Sequence, residues 1–354
     1  MDNNGTSLLS LTNEEHNFTE TCSVKKISLP EVVNMTVLAL VVLFGLVGNF
    51  LVVLTVYKNQ HMRKNINTLI GSLAISDSLV LVDDLLTALM ESRTFTPESG
   101  ELACKVFYFV YGVGPVVSLF TLLIISITRY RAVFTPMTVT PLSTKKLTLL
   151  IAGTWGVPLG LYAYDLVMLT RSKPYEIMIC DYIESTLNFY YYIVQASFPL
   201  LIFLLILIIN VLILRKLSQE RITLNLPPLQ RNARDLRIRN AVRMVLCSLL
   251  LYIILWTPLN ILYTLSLINM KIFNRLRSDC FETIRIMGSI AITLHAANSA
   301  FSPVVYVVFL EDFKCALKKL FRASESCTAG TTDAVELNDK PAVKMYHDSQ
   351  TSRL

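Results

Sequence analysis

Seven long apolar stretches run through the chain and restrict what it can fold into. They cover about residues 32–57, 66–91, 101–131, 146–170, 186–214, 240–268 and 283–310. A helix needs about 20 apolar residues to cross a bilayer, and in hydrocarbon each backbone amide must be hydrogen-bonded within its own segment. The composition agrees, because 53% of the residues are hydrophobic and only 16% are charged. We therefore predict an all-α membrane protein in which residues 31–310 form a bundle of seven transmembrane helices.

The distribution of basic residues predicts the orientation of this bundle. Lys and Arg are concentrated on one side of the predicted membrane, where acids are few: Lys58, Arg63, Lys64, Arg131, Lys145, Lys146, Arg215, Lys216, Arg231, Arg239, Arg243, Lys314, Lys318 and Lys319. Cytoplasmic loops carry such an excess. We therefore predict an extracellular N-terminus, a cytoplasmic C-terminus and a place in the plasma membrane. The net charge of +6 reflects this inner rim and does not indicate nucleic-acid binding.

Residues 1–30 are polar and are predicted to form an extracellular tail. We expect no separate signal peptide, because the first apolar stretch can direct insertion of the chain. Two sequons, Asn4-Gly5-Thr6 and Asn17-Phe18-Thr19, lie in this tail. Since a sequon on the outer side of the membrane can accept a glycan, we predict glycosylation at Asn4 and Asn17.

Four cysteines fall on the predicted outer side, where disulfides persist: Cys22, Cys104, Cys180 and Cys280. Four cysteines allow three pairings. We pair Cys104, at the start of the third span, with Cys180 in the loop before the fifth. A closed ring of helices would bring Cys22 and Cys280 together, so these form the second predicted bridge. The alternative for each pair is two free thiols.

Two loops and the C-terminal region have their own sequence signals. The outer loop 171–185 contains the β-prone runs "YEIMIC" and "DYI", which favour a hairpin, and we interpret 216–236 as an inner linker. Residues 311–323 alternate apolar and basic faces, which predicts an amphipathic helix on the inner leaflet, with Cys315 as a candidate palmitoylation site. The polar residues 324–354 are predicted to be a disordered cytoplasmic tail.

Several polar side chains fall inside the predicted spans. Asp77 is the central one, and Asn49, Ser118, Asn298 and Ser299 lie on neighbouring spans. A carboxylate in hydrocarbon is costly and usually functional, and oxygen ligands of this kind suit a small hard cation such as sodium. The alternative is a structural hydrogen-bond network. Apart from an allosteric sodium ion, we expect no cofactor or metal.

Motifs on six of the seven spans, from the first to the seventh, together resemble one known family. "GNFLVV", "SLAISD", "TRY", Trp155, "LWTPLN" and "NSAFSPVVY" occur in this order. They are similar to the motifs of rhodopsin-like (class A) G-protein-coupled receptors, over roughly residues 30–322. The resemblance implies a seven-helix bundle that binds a ligand outside and opens an inner cleft for a heterotrimeric G protein.

The resemblance also implies roles for individual residues. It assigns Asp77, Ser118, Asn298 and Ser299 to a sodium pocket, Trp256 to ligand sensing, and Arg129, Tyr130 and Tyr306 to G-protein coupling.

The chain departs from the family pattern at three places. Thr128 replaces the acid that usually precedes Arg129, which predicts a weaker closed state and raised basal signalling. Ser302 replaces the usual Asn or Asp before Pro303, so the sodium site loses one partner. The inner end of the sixth span is purely basic ("RIRNAVR"), so any closed-state lock must be built differently.

Two residues exclude ligand classes that the family also serves. Retinal-linked pigments need a Lys where this chain has Ala296, and receptors for biogenic amines use an Asp where it has Tyr111. The predicted outer rim instead combines acids with aromatic side chains. The predicted ligand-pocket residues are Asp83, Asp84, Tyr108, Tyr111, Asp165 and Trp256. Such a mouth suits a cationic peptide; the alternative is a solvated rim whose acids balance nearby Arg and Lys.

Two peptide-receptor subfamilies remain open. "HMRKNINTLIGSLAISDSLV" and "ISITRY" look similar to neuropeptide Y-like and RF-amide-like receptors, whereas the placement of Cys22 and Cys280 looks like chemokine and angiotensin-type receptors. A non-signalling scavenger receptor of the same fold is a further alternative, because the "TRY" motif is altered.

The sequence also bears on partners and on other protein classes. The basic inner rim fits both anionic lipid and a G protein, the Ser/Thr-rich tail can be phosphorylated and bind arrestin, and the terminal "TSRL" fits a PDZ domain. An enzyme is not expected, since the four His residues show no metal-ligand spacing. The absence of internal repeats argues against a transporter.

Overall fold

The computed structural model describes residues 29–59, 62, 65–91, 100–135, 143–171, 180–182, 186–219, 228–268 and 281–321. In chain order its elements are α1 Leu29–Lys58, α2 Asn65–Glu91, α3 Gly100–Phe134, α4 Thr144–Tyr162, α5 Asp165–Met168, β1 Leu169–Arg171, β2 Cys180–Tyr182, α6 Thr186–Gln219, α7 Pro228–Ile268, α8 Phe281–Phe309 and α9 Glu311–Phe321. Thus α6, α7 and α8 correspond to the fifth, sixth and seventh predicted spans. The predicted sites Asn4, Asn17, Cys22 and Cys280, and the tail 324–354, lie outside the described residues.

Most of these helices are long and apolar enough to cross a membrane. Six of them have the length and composition to cross one: α1, α3, α4 with α5, α6, α7 and α8. Large apolar side chains on their outward faces are exposed, for example Leu43 and Phe50 on α1 and Leu201 on α6. The helix α2 differs from the others because it buries three aspartates, Asp77, Asp83 and Asp84.

Packing makes α3 and α8 the centre of the described bundle. The helix α8 packs against α1, α7 and α2, while α3 packs against α2, α4 and α6. Small residues permit these close approaches: a Cβ atom on Gly45 of α1 would lie 2.8 Å from Cα of Ala300 on α8. The family-motif residue Trp155 ties α4 to α2, since its Nε1 donates to Ser72 Oγ at 3.0 Å.

The continuous helix of the fourth span ends earlier than the sequence predicts. This helix ends at Tyr162, and after the single turn of α5 the chain becomes strand β1. This strand pairs antiparallel with β2, in the register Leu169↔Tyr182 and Arg171↔Cys180. The predicted hairpin is therefore present at the run "DYI", which β2 overlaps. Its partner strand β1, however, lies mostly in the segment 146–170 that the sequence predicts to be helical. The reason is burial, because Leu169 is 0% exposed and β1 packs against α3.

The helix that contains the sixth span begins before the apolar segment from which the span is predicted. This helix, α7, starts at Pro228 and the preceding helix α6 continues to Gln219, so assigning residues 216–219 and 228–236 to an inner linker was wrong. Proline suits the first helical position, where its fixed φ is helical and no N–H is required. The following residues, "LQRNARDLRIR", contain no Gly or further Pro and include strong helix formers, so the helix continues beyond the apolar segment.

The last described helix, α9, follows α8 after a single residue. Phe313 and Ala316 are buried on one face, whereas Lys314, Lys318 and Lys319 are exposed. Its two acids lie in the first turn and its last turn is basic, which favours the helix dipole.

Candidate functional site

Asp84 of α2 and His295 of α8 form a buried acid–imidazole pair. The His295 Nδ1 atom lies 2.8 Å from Oδ1 of Asp84 and 2.9 Å from Oδ2. Each side chain is only 2% exposed. Because buried polar groups are costly unless hydrogen-bonded, this contact fixes both side chains and joins the C-terminal half of α2 to the middle of α8.

Aromatic rings connect this pair to two other helices. The His295 ring lies 5.2 Å from the Tyr111 ring of α3 and 6.3 Å from the Trp256 ring of α7, between centroids. Trp256 in turn packs on Tyr252 at 4.7 Å. The Nε1 atom of Trp256 is buried and finds no acceptor among the described residues. A continuous series of rings therefore runs from α3 across α8 to α7.

Asp83 lies beside the pair and is also buried, at 3% exposure. Both Asp83 and Asp84 are close to Tyr111. No described residue donates a hydrogen bond to the Asp83 carboxyl or forms an ion pair with it. Tyr108, one turn from Tyr111 on α3, is partly exposed. We name Asp83, Asp84, Tyr111, Trp256 and His295 the outer cluster.

Asp165 belongs to a different group. The Tyr191 hydroxyl donates to its Oδ1 atom at 2.9 Å, and Gln195 Nε2 donates to Oδ2 at 3.4 Å. The Tyr191 ring packs on Tyr164 at 4.4 Å. Asp165 is 1% exposed, so its carboxyl already serves as a link from α5 to α6.

Asp77 is the centre of a second polar site, deeper in the bundle. Ser118 of α3 donates to Asp77 Oδ1 at 3.2 Å, and its hydroxyl is also 2.9 Å from that of Ser76. Ser299 and Ser302 lie next to the same carboxyl. Its Oδ2 atom nevertheless accepts no hydrogen bond of normal geometry from the described residues.

A small internal cavity of about 30 Å³ adjoins this carboxyl. Its polar lining consists of Asp77, Ser118, Asn298, Ser302, Ser248, Tyr252 and Tyr306. A volume of this size holds a water molecule or a small ion. The Tyr252 hydroxyl is buried without a partner in the described part of the chain. Since Tyr252 also packs on Trp256, the cavity is in contact with the aromatic series of the outer cluster.

Asn49 holds α1 against α8 beside the cavity. Its Nδ2 atom donates to the main-chain carbonyls of Gly45 at 2.9 Å and of Ser299 at 3.2 Å. The structure therefore brings together Asp77, Ser118, Asn298 and Ser299, the four residues of the predicted sodium pocket. Binding of sodium there stays a prediction.

At the other end of the bundle, Arg129 and Tyr130 lie near the end of α3, both partly buried. Thr128, which stands where an acid is usual, donates its hydroxyl to Ile125 O at 2.7 Å within the same helix. Tyr130 stacks on Phe134 at 4.1 Å. The Lys216 Nζ atom of α6 lies 5.9 Å from the centre of the Phe134 ring.

Apolar packing joins three helices at this end of the described bundle. The buried side chains of Val133, Ile213, Leu217, Ile238 and Val242 form one cluster between α3, α6 and α7. We name it the inner cluster. Beside it, Tyr306 is buried at 1% exposure and packs on Phe313 of α9 at 6.3 Å.

Comparison with known proteins supplies the family. The sequence model of the "7 transmembrane receptor (rhodopsin family)" matches residues 48–306, which is most of the chain. The chain belongs to the rhodopsin family of seven-transmembrane receptors. The predicted resemblance is thereby confirmed, and because this is a family of receptors, the prediction that the chain is not an enzyme agrees with it.

Individual relatives are distant but match over most of their length. The receptor is 25% identical to a QRFP-like peptide receptor of Branchiostoma floridae, over 85% of this chain and 83% of the relative. It is 28% identical to neuropeptide FF receptor 1 of Rattus norvegicus, over 80% and 69%. It is 29% identical to an allatostatin-A receptor of Bombyx mori, over 78% and 76%.

The cysteines of the receptor are only partly described. Cys104 lies near the start of α3 and Cys180 begins β2, but their side chains, and hence the predicted bridge, lie outside the described residues. Cys247 carries a free thiol. Cys315 lies on α9 and is partly buried, and its palmitoylation stays a prediction.

Sequence reasoning missed His295, Tyr252 and the cavity role of Ser302. A signal for His295 existed, because an ionisable side chain in the middle of an apolar span needs a partner. Asp84 was the available acid at the matching depth on α2. The choice between Asp83 and Asp84 depends on helix rotation, which the sequence does not specify.

Proposed function

We propose that this chain is a cell-surface receptor that binds an extracellular cationic peptide and activates heterotrimeric G proteins. The observation that carries the proposal is the outer cluster, where two buried carboxyls lie among aromatic rings that continue to the central cavity. Carboxylates recognise Arg and Lys, and aromatic faces add favourable contacts with cations. The outer cluster therefore offers both kinds of contact that a basic peptide needs.

The relatives support a peptide in preference to other ligands. Those named above are receptors for a QRFP-like peptide, neuropeptide FF and allatostatin-A. These names agree with a neuropeptide receptor, whereas the chemokine-type alternative rested on the placement of Cys22 and Cys280 alone. Tyr111 and Ala296 argue against amines and retinal in the same pocket.

Signalling across the membrane would use the aromatic series and the cavity. A ligand at the outer cluster acts on Trp256, which contacts Tyr252, and Tyr252 lines the cavity together with Asp77 and Tyr306. Movement of Tyr306 and α7 would then open the inner cluster. Arg129, Tyr130 and Tyr306 are the proposed contacts with the G protein.

The membrane arrangement that this function requires is also a proposal. All seven long helices cross the membrane, α2 included, with residues 1–28 outside and the C-terminal tail inside. The helix α9 lies on the inner leaflet, where its exposed lysines meet anionic lipid. Disulfides Cys104–Cys180 and Cys22–Cys280 fasten the outer loops, Asn4 and Asn17 carry glycans, and the tail binds arrestin and a PDZ domain.

The test is a screen of cationic peptides on cells that express the receptor with an N-terminal epitope tag. The readout is a resonance-energy-transfer sensor of G-protein activation, which we expect to respond in wild type and to fail in Arg129→Ala at equal surface display. Binding and uptake of peptide without G-protein activation would contradict the signalling role and favour a scavenger. Tag accessibility in intact cells tests the orientation independently.

A further inference from the structure

We propose that the receptor recognises a guanidinium group, as on an arginine side chain, by exchanging it for His295 at the carboxylate of Asp84. This inference rests on the proposed function and specifies the chemistry that its pocket reads. It makes His295 an internal competitor of the ligand as well as a contact of Trp256.

The first argument is the geometry of the pair. His295 approaches both oxygens of Asp84 at nearly equal distances, 2.8 and 2.9 Å, through a single nitrogen. One N–H cannot serve two acceptors well, whereas a guanidinium presents two parallel N–H donors that match a carboxylate. An ammonium lacks this fork. Asp84 is therefore better matched to arginine than to its present partner or to lysine.

The second argument is charge. Two buried carboxyls, Asp83 and Asp84, are neighbours on α2, but the His295 imidazole contacts only Asp84, and no described residue pairs with Asp83. Even with His295 protonated, two ionised carboxylates would leave one negative charge without a counter-charge in a buried setting, which is costly. A ligand cation supplies that counter-charge.

The third argument is what a displaced His295 would contact. Its ring already lies between Tyr111 and Trp256. Trp256 Nε1 is a buried donor with no acceptor among the described residues, so the environment of Trp256 is incomplete while His295 is held by Asp84. Release of the imidazole gives it freedom to move against Trp256 and so links occupancy of Asp84 to the aromatic series.

The experiment uses three libraries of amidated hexapeptides that are identical except at one position, which is arginine, lysine or citrulline. Citrulline keeps the shape of arginine without its charge. We expect active members in the arginine library, with their citrulline counterparts weaker by about tenfold or more. Asp84→Asn should remove this preference, and Asp84→Glu should retain it.

Asp165→Asn is the matched control, because Asp165 is equally buried but is held by the neutral donors Tyr191 and Gln195. It should leave the ratio of arginine to citrulline potency unchanged. His295→Asn removes the competitor, so arginine peptides should keep or gain potency while the maximal response falls. A merely structural role of His295 would instead lower potency and surface display together.

The outcomes separate this inference from the proposed function. Equal potency of arginine and citrulline peptides, or an arginine preference that survives in Asp84→Asn, overturns the exchange while leaving a peptide receptor. No response to any of the three libraries contradicts the proposed function, and the inference with it. If Asp84→Asn does not reach the surface, the opposite changes of potency and maximal response in His295→Asn decide the matter.

Discussion

Arg239 on α7 donates a hydrogen bond from Nη2 to the main-chain carbonyl of Leu217 on α6, at 3.4 Å. This bond lies beside the inner cluster, to which Leu217 and Ile238 both belong. The bond therefore holds α7 to α6 at the end of the bundle where we propose that the G protein binds.

Replacing Arg239 by Met should raise basal signalling, because it removes the hydrogen bond and keeps the apolar stem. One such bond is worth about 1 kcal/mol, so we expect an increase of about two- to tenfold in ligand-independent G-protein activation. Arg243→Met is the control, since Arg243 lies one turn further along α7 and is exposed. Equal effects of the two substitutions would indicate loss of charge at the inner rim instead.

Thr128→Asp should lower basal signalling. The Thr128 hydroxyl is bonded to Ile125 O in its own helix, whereas a carboxylate at this position would supply an ion-pair partner for the neighbouring Arg129 in the closed state. We expect basal output to fall by about half or more, measured in cells matched for surface display. Thr128→Val should leave it unchanged, and an equal decrease in both variants would exclude the charge effect.

Ser302→Asp should make the receptor more sensitive to sodium. Ser302 lines the cavity beside Asp77, and a second carboxylate there would add an oxygen ligand for a cation in the cavity. We expect nucleotide exchange in isolated membranes to be lower in NaCl than in KCl at equal ionic strength, with a larger difference than in wild type. The double variant with Asp77→Asn should lose the difference; persistence would place the sodium effect elsewhere.

Gly114→Ala should destabilise the receptor. The added Cβ atom would lie 2.3 Å from Cγ2 of Val80, so α2 and α3 would be forced apart where Ser76 and Ser118 meet. Overpacking of this kind costs about 1–3 kcal/mol, which should lower the melting temperature of the detergent-solubilised protein. Gly153→Ala is the control, because no atom lies within 4 Å of its added Cβ. Val80→Ala in the same chain should restore stability.

The sequence predicts most of the helical architecture because crossing a membrane imposes a length and a composition that can be read locally. The sequence motifs assign Asp77, Ser118 and Asn298 to one pocket, and these residues do meet at one cavity. Helix ends were harder. The end of α4 at Tyr162 and the start of α7 at Pro228 depend on packing and backbone preference rather than on apolar length.

The pairing of Asp84 with His295 could not be read from the sequence. The two residues are 211 positions apart, and their contact requires the relative depth and rotation of α2 and α8. Similarly, the sequence predicts Asp165 as a ligand contact, but its carboxylate accepts a hydrogen bond from Tyr191 on α6. The sequence alone does not show which acidic side chains are already hydrogen-bonded within the protein and which could bind a ligand.

The paired strands β1 and β2 would be attached to the helix bundle in two independent ways. One is the predicted disulfide bond at Cys180. The other is the packing of Leu169, which is completely buried against the bundle. Leu169 lies two residues before Arg171, the residue that pairs with Cys180 in the strand register. Reduction of the cysteines would release only the first. In a reducing medium the two strands would therefore keep their position on the bundle. They would lose it only if the packing of Leu169 were also removed.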